Sequence, residues 1–250
     1  MIECVIPLHH QVDHAKLESW GSGVLLRADE WRILASAAHV LLDDPIWLPA
    51  KPEFVPLDLA GRVVTTAPDL ASARVDRKDV GYVLLNPRTA EMLEAQGLQF
   101  LSMANTSCLR ELPPADRYIV SGYPCSKSST MVSRQQIWNA RMDALGEAIS
   151  DAELVELGCN PMLHIAVRYD REALDYEGKR VTGPLPKGMS GGAIWHVSSD
   201  NTLTLAGIVT DYEPGGKYIR GTRINPLLFR IRDHIRADLQ REGRWPVSAA

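Results

Sequence analysis

Residues 186–195 read Pro186-Lys-Gly-Met-Ser-Gly-Gly-Ala-Ile-Trp195. One serine, Ser190, sits among Gly188, Gly191 and Gly192, immediately before an apolar run with the composition of a strand. Glycine permits backbone angles and close approaches that a Cβ would block. Such a loop can turn the amides of Gly188 and Ser190 toward a common point, where they would stabilise an oxyanion forming as the Ser190 hydroxyl attacks a carbonyl. A plain glycine turn gives the same string, so the peptide needs chemical partners elsewhere in the chain.

A serine hydroxyl is a weak nucleophile until a base takes its proton. Ile33-Leu-Ala-Ser-Ala-Ala-His39-Val40 supplies a candidate base, with His39 following small residues at the end of an apolar strand. Taken alone, His39 would be an ordinary core or surface histidine. The third peptide, Arg77-Lys-Asp79-Val-Gly-Tyr-Val-Leu-Leu85, places an acid at the entrance to an apolar strand. A carboxylate there could accept the Nδ1 proton of His39, fix its tautomer and stabilise the imidazolium. Pairing of Asp79 with Arg77 or Lys78 is the plainer reading, and Asp76 is the nearest rival acid. Asp79 is favoured because it directly adjoins the apolar strand.

The rest of the chain reads as many short strands. Candidates are residues 23–27 and 31–35, separated by a polar turn, then 61–65, 80–85, 117–121, 163–169, 192–196, 203–209 and 218–224. Short strands without alternating helices point to an all-β barrel or sandwich. Helical spacing is expected over residues 89–101 and 141–157, and most clearly after Pro226, where Leu227, Leu228, Ile231, Ile235 and Leu239 recur among charged residues. That terminal helix should lay one face on the strands. Pro113-Pro114 is the expected connection between two lobes, residues 1–112 and 113–250, which together make one domain.

The three peptides together resemble those of the chymotrypsin-like (trypsin-like) serine peptidases, in the order His39, Asp79, Ser190. Ser36-Ala-Ala-His39 is similar to that family's Thr-Ala-Ala-His, Asp79-Val-Gly-Tyr-Val to its Asp-Ile-Ala-Leu-Leu, and Gly188-Met-Ser190-Gly-Gly to its Gly-Asp-Ser-Gly-Gly. Residues 118–123 and 207–210 are weaker matches to the strand opening the second barrel and to the strand that pairs with substrate. The resemblance implies two six-stranded antiparallel β-barrels with a C-terminal α-helix and short helical inserts. It also implies a serine endopeptidase in which Ser190 is the nucleophile, His39 the general base and Asp79 its orienting acid, with Gly188 and Ser190 forming the oxyanion hole and no cofactor required. Pro184 corresponds to the floor of the specificity pocket, and Thr210, Asp211 and Tyr212 to its wall. Without an acid at Pro184, a small or medium uncharged residue is expected before the cleaved bond. Where secreted, zymogen-activated members carry an aspartate before the serine, this chain has Met189, so the resemblance is to bacterial, non-zymogen relatives.

Two other readings compete. Gly188-x-Ser190-x-Gly192 fits a nucleophile elbow with Asp211 and His234 completing a triad, but that arrangement needs a strand before the serine and a helix after it. A peptidase fold used as a silent binding or regulatory module is the second, since fold does not fix function. His9, His10 and His14 lack the convergent Cys or acid partners of a zinc site.

Composition narrows the partners. The 250 residues carry 27 Lys and Arg against 31 Asp and Glu, a net charge of -4, so no general field attracts phosphate backbones and nucleic acid is not expected. Arg230, Arg232, Arg236 and Arg241 alternate with Asp233, Asp238 and Glu242, the pattern of a solvated helix face. Neither a membrane span nor an export signal is expected, and Cys4, Cys108, Cys125 and Cys159 are scattered as in reduced cytoplasmic proteins. The expected partner is a protein or peptide substrate. The helical segments at 89–101 and 141–157 either pack on the barrels or offer a surface to an activating or regulatory protein.

Overall fold

The computed structural model describes residues 2–13, 16–42, 46–49, 55–57, 63–65, 79–106, 117–131, 136–174 and 177–241. The expected lobe connection at Pro113-Pro114, together with Cys108, Asp76, Arg77, Lys78 and His14, lies outside the described residues.

The first sheet is built from β1 (Val5–Asp13), β2 (Lys16–Ala28), β3 (Trp31–Ser36), β4 (Ile46–Leu48), β5 (Val55–Pro56), β6 (Val63–Thr65), β7 (Gly81–Leu84) and β8 (Leu101–Ser102). Their order is β5-β4-β1-β2-β3-β7-β6, with β8 pairing β2 in parallel and every other pair antiparallel. The turn expected between residues 23–27 and 31–35 is present: Ala28 faces Trp31 across Asp29-Glu30, with Asp29 at a φ of 49°. An aspartate tolerates this left-handed region better than most side chains. Ile33, Leu34 and Ala35 of β3 are buried on both faces, which is why that strand reads as continuously apolar.

The second sheet has six antiparallel strands in the order β12-β9-β16-β17-β18-β13. These are β9 (Arg117–Gly122), β12 (Met142–Glu147), β13 (His164–Arg168), β16 (Ala193–Val197), β17 (Leu203–Glu213) and β18 (Tyr218–Arg223). A bridge from Ala148 to Val167, backed by the Ile149 amide donating to Ala166 O at 3.0 Å, joins the two edges and closes the barrel. Two hairpins stand apart, β10 (Ser128–Met131) with β11 (Gln136–Asn139), and β14 (Glu172–Leu174) with β15 (Arg180–Thr182).

The helical expectations need correction. The helix expected over 89–101 spans Pro87–Ala95, opened by Asn86 capping the Thr89 amide and by Pro87 in the first turn, and it stops before Gly97 at a φ of 82°. Over 141–157 only Asp151–Glu156 is helical, begun by a capping box between Ser150 and Glu153. The preceding residues form β12, whose side chains alternate between half-buried and exposed. Pairing along the whole of β9 satisfies their backbone groups in the barrel instead of in a helix.

The C-terminal helix, Ile224–Arg241, is the expected amphipathic one. Ile224, Leu227, Leu228 and Ile231 are buried on one face. They join a core that also contains Val24, Leu34 and Tyr82 from the first sheet and Trp195, Leu205 and Ile208 from the second. The helix is therefore a wedge against residues of both sheets. A second core, inside the closed barrel, contains Tyr118, Val120, Ile165, Val167, Met189, Ile194, Val209 and Ile219.

Candidate active site

β3 ends at Ser36, and the chain turns at once into a single helical turn, Ala38–Leu41, with Val40 and Leu41 buried beneath it. His39 leaves this turn toward Asp79, which precedes β7 and is itself buried. One carboxylate oxygen of Asp79 accepts the His39 backbone amide at 2.9 Å, and the other pairs with His39 Nδ1. The Asp79 carbonyl accepts the Ala38 amide at 3.2 Å. Asp79 thus grips both the backbone and the ring of His39, which fixes the ring plane. An Nδ1–H given to a carboxylate leaves Nε2 as the ring's acceptor.

Ser190 reaches the same neighbourhood through the first sheet. The Ser22 amide on β2 donates to Ser190 O at 2.8 Å. A Cβ placed on Gly21 would lie 2.7 Å from Val40 Cγ1 and 3.1 Å from Ser190 O, so the nucleophile candidate and the helix carrying His39 converge over Gly21. Ser190 Oγ donates to Thr210 O at 3.3 Å. That carbonyl is presented by a bulge in β17, where the register with β18 slips between Val209 and Asp211.

The loop before Ser190 is held at every carbonyl. Pro186 O accepts the Met189 amide at 2.9 Å, Lys187 O the Cys125 amide at 2.7 Å, Met189 O the Gly192 amide at 2.8 Å and Ser190 O the Ser22 amide. Gly188 O accepts the Ser22 hydroxyl at 2.9 Å. Because N–H and C=O of a trans peptide point in opposite directions, anchoring Lys187 O and Met189 O turns the Gly188 and Ser190 amides away from the groups that hold those carbonyls. Among the described residues neither amide has a hydrogen-bond partner. Gly188 and Gly191 carry φ values of +94° and +87°, and a Cβ on Gly191 would fall 1.9 Å from Ser22 O, so no other residue fits there. Met189 is buried in the core of the closed barrel and anchors the loop by apolar contact.

Of the specificity positions Pro184, Thr210, Asp211 and Tyr212, Thr210 contacts Ser190 directly, through its carbonyl. Tyr169, which the sequence reading did not single out, links two of them. Its hydroxyl donates to Pro184 O at 2.7 Å, and its ring meets Tyr212 edge-on, with centroids 6.0 Å apart. Asp211 instead turns toward solvent and accepts from Arg220 Nη2 at 2.7 Å. Cys125 lies close by, its sulfur 2.6 Å from where a Cβ of Gly188 would sit. Burial pushes its thiol pKa up, which disfavours the thiolate and argues against Cys125 as a nucleophile.

The elbow alternative fails on this geometry. Ser190 is followed by β16, not a helix, and His234 lies on the C-terminal helix, bonded through Nδ1 to the Tyr82 hydroxyl at 2.9 Å. His9 and His10, considered as metal ligands, have other surroundings: His9 is buried beside Asn139 and His10 stacks near Trp20.

No family model matches the chain, and no curated protein sequence does so. Solved structures do. The thermostable serine protease AL20 of an extremophilic microorganism superposes with a TM-score of 0.55 at 13% identity, covering 89% of this chain and 91% of that one. The VesB protease of Vibrio cholerae superposes with a TM-score of 0.56 at 15% identity, covering 93% of this chain and 64% of that one. Together with the sheet topology, these likenesses show that the chain has the chymotrypsin-like serine protease fold.

Proposed function

We propose that this protein is a serine endopeptidase acting through an acyl-enzyme. Ser190 Oγ attacks the carbonyl carbon of a peptide bond while His39 Nε2 takes its proton. Asp79 holds the imidazolium so formed, and the Gly188 and Ser190 amides stabilise the oxyanion. Collapse breaks the C–N bond, His39 returns the proton to the leaving amine, and water repeats the sequence on the ester. The observation that carries this reading is the pair of unengaged amides at Gly188 and Ser190, in a loop that converges over Gly21 with the helical turn carrying an Asp79-gripped histidine. The Ser190 hydroxyl, bonded to Thr210 O, needs only rotation about its own Cα–Cβ bond to leave that partner, and catalytic contacts commonly tighten when substrate arrives.

The substrate reading follows from the pocket side. Pro184 carries no charge, Asp211 is committed to Arg220, and the Tyr169–Tyr212 pair adds aromatic bulk. These features favour a small or medium uncharged residue before the cleaved bond in a protein or peptide substrate. Cys4, Cys125 and Cys159 are in no disulfide, which fits a reducing, cytoplasmic setting.

A fluorophosphonate probe tests the chemistry. Labelling of the wild-type chain should vanish in Ser190→Ala, and Asp79→Asn should lower peptide turnover by about 10⁴-fold. A wild-type chain that stays unlabelled would favour the regulatory-module reading instead. Cleavage of a mixed peptide library should show few basic residues before the cut, and a preference for arginine there would overturn the pocket assignment.

A further inference from the structure

The geometry points to the hydroxyl of Ser22 as the clamp that keeps the oxyanion loop in its reactive shape, making Ser22 a positioning residue for catalysis. The inference rests on the reading of Ser190 as nucleophile. Ser22 is fully buried on β2, in the other sheet from the loop it holds. Its hydroxyl accepts the Tyr123 amide at 2.9 Å and donates to Gly188 O at 2.9 Å. With an N–H already on one lone pair and a carbonyl as the other neighbour, the hydroxyl proton has one destination. Its backbone completes the arrangement, since the Ser22 amide donates to Ser190 O and Ser22 O accepts the Ser36 hydroxyl at 2.6 Å.

These bonds act on the peptide units that matter. Gly188 O belongs to the unit immediately after the Gly188 amide. Rotating the Lys187–Gly188 unit to withdraw that amide breaks the Cys125 amide's bond to Lys187 O, while the Ser22 bond to Gly188 O holds the next unit and with it the Gly188 Cα about which the rotation must pivot. Glycine at a φ of +94° offers little resistance to such a rotation by itself, so the restraint must come from partners. Met189 cannot supply an ion pair, and its burial fixes the loop's position without fixing the direction of a peptide dipole. The Cys125 amide fixes that direction for the Lys187–Gly188 unit, and Ser22 fixes it for the Gly188–Met189 unit that follows. Both lie within the chain's interior sequence, so loop order does not wait on a cut that creates a new terminus.

The test uses the full chain with Ser22→Ala and, as a second variant, Ser22→Gly, both of which keep the backbone bond to Ser190 O. For a peptide substrate, kcat should fall by about 10²-fold, the scale of losing one oxyanion donor, with KM within about twofold. Hydrogen exchange should accelerate at least about tenfold at the Cys125 and Met189 amides, which bond loop carbonyls and not Ser22, while the β2–β3 ladder keeps its protection. A serine that served only packing would instead loosen the ladder and leave turnover per folded molecule intact. Turnover and loop exchange both within about threefold of wild type would overturn the clamp. Should the wild-type chain neither turn over peptide nor label with fluorophosphonate, the Ser190 reading fails, and the exchange ratio alone then decides whether Ser22 holds the loop.

Discussion

His9 is a titratable group buried in the first sheet, with Asn139 Nδ2 donating to its Nε2 at 3.0 Å. Burial pushes its pKa down from 6.5 to about 4. Between these values the unfolded chain binds a proton that the folded one refuses, so stability rises with pH across the window and is level above it. At 1.36 kcal/mol per pKa unit, acidification from pH 7 to pH 5 should cost about 2 kcal/mol through this residue. Urea midpoints of wild type and His9→Gln at the two pH values check it: the variant should show a shallower fall by that amount, and equal falls would refute the assignment. At this scale the sequence was informative for Ser190, His39 and Asp79, whose residue types are set by the chemistry they suit. It was silent about Ser22 and Tyr169, because a serine between glycines and a tyrosine at a strand end become significant only once a partner from another strand is beside them.

At the scale of elements, the C-terminal helix divides sharply into two faces. Ile231 is completely buried in the core shared by both sheets, whereas Phe229 is 66% exposed. Ile231→Ala should therefore cost about 2–5 kcal/mol, while Phe229→Ala should stay within about 0.5 kcal/mol. Chemical denaturation of the two variants distinguishes them, and similar losses would mean that the helix docks on a different face. The helix was legible because its apolar spacing has one interpretation over 18 residues. Residues 141–157 were not. Met142, Leu145 and Ile149 fall at spacings that suit a helix, yet Leu145 is exposed at 65% and Ile149 buried, because the segment runs as a strand along β9 and then turns. Short segments carry too few apolar positions to separate the two periods, and cross-strand pairing settles the matter.

For the whole molecule, the core that includes Val24, Tyr82, Trp195 and Leu228 runs through both sheets and the terminal helix. Polar bonds cross the same boundary, with Ser22 holding Gly188 O, the Cys125 thiol donating to Ser19 O at 3.1 Å and the Tyr123 hydroxyl to Val5 O at 3.3 Å. Each sheet loses part of its packing if the other unfolds. Tryptophan fluorescence, to which the buried Trp195 contributes, and far-ultraviolet circular dichroism should report one coincident unfolding transition, and two separated transitions would contradict a shared core. The sequence by itself determined that this is a β-rich chain with a glycine-framed serine, a histidine after small residues and an acid at a strand entrance, because those features follow from local backbone demands and from the reactivity of single side chains. Only the tertiary structure decided what orients the loop that carries Ser190. The direction of a peptide dipole at a permissive glycine depends on hydrogen-bond partners brought from β2 and from the turn after β9, and no local property of residues 186–190 encodes them.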